Sequence, residues 1–364
     1  MRIAYCCQDI TVRGGLERIT VEKANALAQA GHDVCLIVNN PPGSEVAYEV
    51  DPRVYLVNVA LPQPKGLWST LRFKCKQNAR ISQALRRFRP DVRCAAASWL
   101  CSAVLWGPGR LVLESHSWRK GLFNDEARSL YKRLKVAIAE RMAACVVTLL
   151  PAHNSDWPAA KRVESIGNFS DITANDAPAR HGAMAVGRLA PVKQFDLLID
   201  TWTKVAESHP SATLDIYGDG PLREELQRKI DDCELGSHIF LRGMCRDLAA
   251  EYASHEFLVL SSRDEGFGLV LIEAMQCGCP CVAVDCPEGP AHIITNEDDG
   301  LLVPYRNLLR NEQIDSLAFS ISRLLDSPGE CRRLGLAARE NVKRFSRDSI
   351  IAAWQKLFVN ITSK

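Results

Sequence analysis

The sequence predicts an α/β protein made of two doubly wound halves, each a parallel sheet with helices on both faces. Three observations predict it. The first forty residues alternate apolar strand, Gly-Gly loop, amphipathic helix and apolar strand. The same alternation resumes near residue 183 and continues to residue 284. At roughly 100 to 200 residues per domain, a chain of this length suits two domains, each able to bury its own core.

In the first half, Arg2 to Cys7 reads as a buried strand, Gly14-Gly15 as a loop, and Leu16 to Ala30 as a helix. Leu16, Ile19, Ala24 and Leu27 lie along one face of that helix, and Gly31 stops it. Val34 to Val38 is the next strand and completes a βαβ unit. In the second half the expected strands are Ala183 to Val186, Thr213 to Tyr217, Ile239 to Arg242, Phe257 to Leu260 and Cys281 to Val284. The helices between and after them are Phe195 to Ser208, Leu222 to Asp232, Asp247 to Ser254, Leu269 to Cys277, Ile314 to Leu325 and Gly329 to Phe345. Asn154 to Gly182, with Pro158, Gly167, Pro178 and only scattered apolar residues, is the expected linker, dividing the chain into 1–170 and 171–346. The last element, Arg347 to Ile361, carries Ile350, Ile351, Trp354, Leu357 and Phe358 at helical spacing and needs a surface to pack on.

Composition narrows the function. With 47% hydrophobic and 24% charged residues, disorder, collagen and coiled coil are excluded. The longest apolar stretches, such as Ala95 to Trp106, are far short of the roughly 20 residues that span a bilayer. Polar Gln8-Asp9 breaks any leader-like apolar core, so a cytoplasmic protein is expected. Most of the 14 Cys sit in apolar runs as small hydrophobes, and Cys277-Gly-Cys279-Pro-Cys281 reads as a turn into a buried strand rather than a metal site. The first 170 residues hold 24 Lys and Arg against 14 Asp and Glu, and the remainder 21 against 29. The basic half is therefore the one expected to touch phosphates. Within it, residues 65–90 carry eight basic side chains and no acidic one, interleaved with Trp68, Leu71, Phe73, Ile81, Leu85 and Phe88. That pattern predicts a basic amphipathic helix pair suited to an anionic membrane surface or a phosphate-bearing substrate, or else a solvated face over an ordinary core.

The chemistry concentrates in a few segments. Glu265-Gly-Phe-Gly-Leu-Val-Leu-Ile-Glu273 follows a strand and opens a helix, so Gly266 and Gly268 leave backbone N–H groups at a helix N-terminus, where phosphates bind. Gly187-Arg188-Leu-Ala-Pro-Val-Lys193 places two cations after another strand, an Arg fork and a Lys point charge suited to a diphosphate. Gly14-Gly15 lets a phosphate approach the backbone, but the spacing is not that of a dinucleotide fingerprint, and Val38 is followed by Asn39-Asn40 rather than an acidic residue. A nicotinamide dehydrogenase is thereby disfavoured. His116 follows the strand-like Arg110 to Leu113, where α/β enzymes place ligand contacts. There is no Asp-x-Asp, Gly-x-Ser-x-Gly or Gly-Lys-Ser/Thr phosphate loop.

Taken in order, Gly14-Gly15, His116, Gly187-Arg188 with Lys193, and Glu265 with Glu273 resemble the retaining, nucleotide-sugar-dependent glycosyltransferases of family 4. Val186-Gly-Arg-Leu, Phe195-Asp-Leu-Leu-Ile199, Tyr217-Gly-Asp-Gly-Pro221 and Gly300-Leu-Leu-Val303 carry the likeness in the second half, and Gly14-Gly-Leu-Glu-Arg18 and Ala30-Gly-His-Asp-Val34 in the first. The resemblance implies a GT-B architecture: an acceptor-binding domain (1–170) and a donor-binding domain (171–346) facing a central cleft, with residues 347–364 crossing back to the first. It implies that Arg188 and Lys193 hold the donor diphosphate, that Glu265 meets sugar hydroxyls, and that Glu273 accepts ribose hydroxyls. Gly266, Phe267, Gly268 and Leu269 would contact phosphate and sugar, Gly14 and Gly15 phosphate, and His116 the sugar near the reacting carbon. No metal and no cofactor beyond the donor are implied. Gln194 departs from the Gly that many members place after the Lys. Asp285-Cys-Pro-Glu-Gly-Pro290 resembles a subset that builds surface polysaccharide from UDP-linked hexoses or N-acetylhexosamines.

The expected activity is transfer of such a sugar to a glycan acceptor, lipid-diphosphate-linked, at the inner membrane face, with no nucleic-acid partner. A nucleotide-sugar epimerase of the same fold and a catalytically inactive assembly partner are the competing readings.

Overall fold

Short apolar runs with little polar alternation form strands buried on both faces, and the intervening amphipathic segments form helices that cover them. The computed structural model describes residues 1–7, 9–12, 14–61, 67–96, 102–116, 129–172, 180–287 and 289–363. The chain divides into two units, residues 1–168 with 347–364, and residues 169–346.

The first unit contains β1 (Arg2–Cys6), α1 (Gly15–Gln29), β2 (Asp33–Val38), β3 (Val54–Asn58), α2 (Leu67–Phe88), β4 (Val92–Ala96), α3 (Ser102–Leu105), β5 (Arg110–Ser115), α4 (Ser129–Met142), β6 (Cys145–Thr148) and β7 (Val163–Ser165). Its sheet has the order β3-β2-β1-β4-β5-β6-β7 with parallel neighbours throughout, so the chain reverses its direction of travel between β1 and β4. Ala4, Cys6, Ile37, Ile81, Leu85, Leu113, Val146 and Trp157 share one core.

The second unit contains β8 (His181–Val186), α5 (Phe195–Ser208), β9 (Leu214–Tyr217), α6 (Arg223–Asp232), β10 (Ile239–Gly243), α7 (Leu248–Ser254), β11 (His255–Leu260), α8 (Leu269–Gln276), β12 (Cys281–Val284), α9 (Pro290–Ile293), β13 (Gly300–Val303), α10 (Arg310–Asp326) and α11 (Pro328–Asn341). Its parallel sheet runs β10-β9-β8-β11-β12-β13, with the reversal between β8 and β11. Trp202, Leu198, Ile216, Phe257, Val282 and Leu317 lie in its core.

The final helix, α12 (Arg347–Thr362), belongs to the first unit and packs on α1 with Trp354, Leu357 and Phe358 fully buried. Burying an apolar face of that size accounts for its stability better than intrinsic propensity does.

Two expectations change. The linker segment is not all linker: Val163–Ser165 pairs with β6, Trp157 and Phe169 are buried, and the units divide at Asn168 and Phe169. A strand of three residues carries too little alternation to be read from sequence; residues 173–179 lie outside the described residues. The basic segment is one 22-residue helix rather than a pair, although residues 62–66 also lie outside the description. Ile81 and Leu85 are fully buried in the core, while Arg72, Lys74, Lys76, Arg80, Arg86, Arg87 and Arg89 are exposed. Ile81 and Leu85 are thus spent inside the protein, and the exposed basic residues of the helix leave charge on the surface. Among the described residues no helix is long and apolar enough to cross a membrane.

Candidate active site

In open parallel sheets ligands bind beyond the carboxyl ends of the strands, where the order reverses. In the second unit that point lies after β8 and β11, and the loops there carry the residues singled out from sequence. Lys193 ends a 3₁₀ turn (Pro191–Lys193) after β8, and its Nζ lies 2.5 Å from Oε1 of Glu265, in the loop after β11. The same oxygen accepts from Ser262 Oγ at 2.6 Å. Two further hydrogen bonds lock the loops: Ser261 Oγ donates to the Lys193 carbonyl at 2.9 Å, and the Arg263 N–H to the Val192 carbonyl at 2.9 Å. With side-chain exposures of 20% and 10%, the Lys193–Glu265 pair is shielded enough for its charges to matter. Arg188 is exposed near the start of the first loop.

The Gly187–Leu189 backbone is covered by the Tyr217-Gly-Asp-Gly-Pro221 segment. Gly218 has φ +135°, and a Cβ there would lie 1.9 Å from the Gly187 carbonyl oxygen. Only glycine allows this approach. The turn into α5 accepts Gln194, but in the left-handed region, at φ 49° and ψ 41°.

Gly266, Phe267, Gly268 and Leu269 form the entry to α8. Gly268 caps the helix at φ 100°, and Phe267 is buried edge-on against Phe345 at 5.5 Å. The first N–H groups of α8 are those a helix leaves without internal partners, which suits an anion. Glu273 sits further into α8, is 2% exposed, and accepts a hydrogen bond from Tyr252 Oη at 3.0 Å. Burial and this carboxylate raise the Tyr252 phenol well above its usual range, keeping it a donor.

In the first unit, Gly14 precedes α1 in extended backbone. A Cβ at Gly14 would lie 2.3 Å from Oε2 of Glu17, so a carboxylate already leans over the helix start. Gly15 is the first residue of α1. His116 follows β5, its Nε2 3.2 Å from Oε2 of Glu114. Glu114 is buried and paired with Lys23, itself 3% exposed and lying under the Trp354 ring at 4.4 Å. Burial alone would raise the Glu114 carboxyl, but Lys23 and His116 outweigh it and hold it down to about 2. Sequence reading missed Lys23, Glu114, Ser262 and Tyr252. Glu114 had a signal: a carboxylate inside an apolar parallel strand requires a buried partner.

Comparison with known proteins gives two family matches. Residues 180–341 match the glycosyl transferases group 1, and residues 14–159 match a glycosyl transferase 4-like domain. An exopolysaccharide phosphotransferase of Streptomyces coelicolor is 38% identical over 80% of this chain, which spans only 31% of that protein's length. The amylovoran biosynthesis glycosyltransferase AmsD of Erwinia amylovora is 27% identical over 96% of this chain and 97% of its own. Among solved structures, a mutant of S. aureus TarM in complex with fondaparinux, α-GlcNAc-glycerol and UDP superposes with a TM-score of 0.77 at 16% identity, covering 98% of this chain and 99% of that one. That likeness extends to the two-domain fold.

Proposed function

The chain belongs to the group 1, family 4-like glycosyltransferases of GT-B fold, and on that premise we propose that it moves a hexose or N-acetylhexosamine from a UDP-sugar to a glycan acceptor in surface-polysaccharide synthesis. The observation that carries the reading is the Lys193–Glu265–Ser262 cluster at the strand-order reversal of the second unit. It sets a cation for the diphosphate beside a carboxylate for sugar hydroxyls. The two hydrogen bonds Glu265 accepts among the described residues both fall on Oε1.

In this reading Arg188 and Lys193 neutralise the charge that grows on the diphosphate as the bond from the anomeric carbon to phosphate oxygen breaks. The acceptor oxygen bonds that carbon on the same face, so configuration is retained. The acceptor's proton passes to the departing phosphate oxygen. Glu265 and Glu273 act as donor ligands, the backbone of Gly266 to Leu269 holds phosphate and sugar, Gly14 and Gly15 contact phosphate, and His116 faces the sugar. The cationic side chains and the α8 N-terminus supply the neutralisation, and neither a metal nor a cofactor has a part in it.

A lipid-diphosphate-linked acceptor at the inner membrane face fits the exposed basic side of α2. Contact through these exposed basic residues is electrostatic, at about 1 kcal/mol per basic residue near an anionic surface. Salt weakens it accordingly.

The test is thermal stabilisation of the purified chain by UDP, GDP, ADP and their sugars. A ligand at 100 times its Kd adds about 2.7 kcal/mol of stability. A Tm rise with UDP compounds that shrinks in Arg188→Ala is expected. No rise with any nucleotide overturns the reading.

A further inference from the structure

At the opposite end of the second sheet, away from Lys193 and Glu265, three strand starts converge. His181 opens β8, His255 opens β11, and Asp215 is the second residue of β9. One ligating atom of each lies within 4.8 Å of the others, and among the described residues no other such group of His, Cys, Asp or Glu is found. His255 and Asp215 are 1% and 6% exposed, and His181 is exposed.

The hydrogen bonds fix what these atoms present. His255 Nδ1 lies 2.7 Å from the Glu251 carbonyl oxygen, which can only accept, so Nδ1 carries a proton. In the neutral imidazole the lone pair is then on Nε2, 3.3 Å from Asp215 Oδ2. Two acceptors facing each other in a buried site repel unless a positive species lies between them. Asp215 is held from its other side, where Arg242 Nε donates to Oδ1 at 2.8 Å. The His181 ring lies 4.7 Å from the His255 ring.

We propose that His181, Asp215 and His255 bind a divalent transition-metal ion of the zinc and cobalt class through two imidazoles and one carboxylate oxygen. The ligand types suit such borderline ions rather than Mg²⁺ or Ca²⁺, which take oxygen ligands. The outer partners are those of a built metal site: a ligating imidazole donating its other N–H to a backbone carbonyl, and a ligating carboxylate hydrogen-bonded in turn. Tetrahedral zinc sets its ligand atoms about 3.4 Å apart. The His255–Asp215 pair already has this spacing, and exposed His181 supplies the remaining closure. Gly182, at φ +51°, turns the backbone right after it. Water takes the fourth position from the exposed side. The site is roughly 20 Å from the catalytic loops, the length of a six-residue strand. It ties three strands together and takes no part in sugar transfer.

The test uses the full chain, stripped with chelator in a non-thiol reductant, and titrated with Co²⁺ and then Zn²⁺. One equivalent of Co²⁺ with visible tetrahedral bands and no sulfur charge-transfer band is expected, displaced by Zn²⁺ with a rise in Tm. His181→Gln, at an exposed position, should weaken binding at least about tenfold. Asp215→Asn, which leaves Arg242 an oxygen partner, should do the same. Absence of a one-equivalent site, a thiolate band placing the metal on cysteines, or unchanged affinity in His181→Gln overturns the proposal.

Discussion

Lys193 and Glu265 are 72 residues apart in sequence, yet their side chains meet at 2.5 Å because the loops carrying them follow neighbouring strands and are hydrogen-bonded to each other. Each residue therefore positions the other. Lys193→Ala or Glu265→Ala should lower turnover at least about 100-fold, on the order of 2.7 kcal/mol of transition-state stabilisation. The double variant should lose less than the sum of the two, because the second change removes an already displaced side chain. Steady-state rates of the three variants measure this; near-wild-type rates in both single variants would sink the site assignment.

Glu114 and Lys23 make stability depend on pH. The folded carboxyl titrates near 2, against an ordinary value of 4.5. The pair therefore contributes stability above pH 4.5 that is lost as pH falls toward 2, about 3 kcal/mol in full. Glu114→Gln leaves Lys23 buried without its counter-charge and should destabilise clearly at pH 7. Urea unfolding of both proteins should show the gap closing below pH 4.5; a gap independent of pH would contradict the pairing.

Gln194 occupies a left-handed turn, and its buried Oε1 has no hydrogen-bond partner among the described residues. Glycine removes a backbone penalty of about 1 to 2 kcal/mol. Its greater freedom in the unfolded chain returns part of that. Gln194→Gly should therefore stabilise by about 0.5 to 1 kcal/mol, seen as a higher urea midpoint at unchanged slope. A lower midpoint would mean that the side chain contributes packing that outweighs the turn.

Legibility followed length and periodicity. Phe195–Ser208 and Cys281–Val284 are where the apolar pattern places them, since 14 helical residues or a four-residue apolar run between turn signals leave little choice. β3, β4, β6 and β7 drew no assignment. Each is three to five residues long; β3 does hold the apolar run Val54 to Val57, but it exposes Tyr55 and Leu56 and so is not a strand buried on both faces. Within the candidate site, Arg188 and Glu265 were visible because each adjoins a glycine after a strand, and Lys193 because it is the second cation of the loop that Arg188 opens. Lys23 was not, because a lysine on an amphipathic helix reads as solvated until the fold places Glu114 beneath it and Trp354 above. His181, Asp215 and His255 are scattered over 75 residues, and only the strand order brings them together.

The first unit is finished by a helix that follows the whole of the second unit in the chain. Trp354 covers Lys23, and Leu357 and Phe358 are fully buried, so a growing chain exposes that face of α1 until residues 347–362 have been made. Residues 169–346 are contiguous and need nothing downstream to assemble their sheet. The usual order, in which the amino-terminal domain folds first on the ribosome, is thereby inverted. A chain cut after Ser346 would keep the second unit whole and leave the first one unsealed.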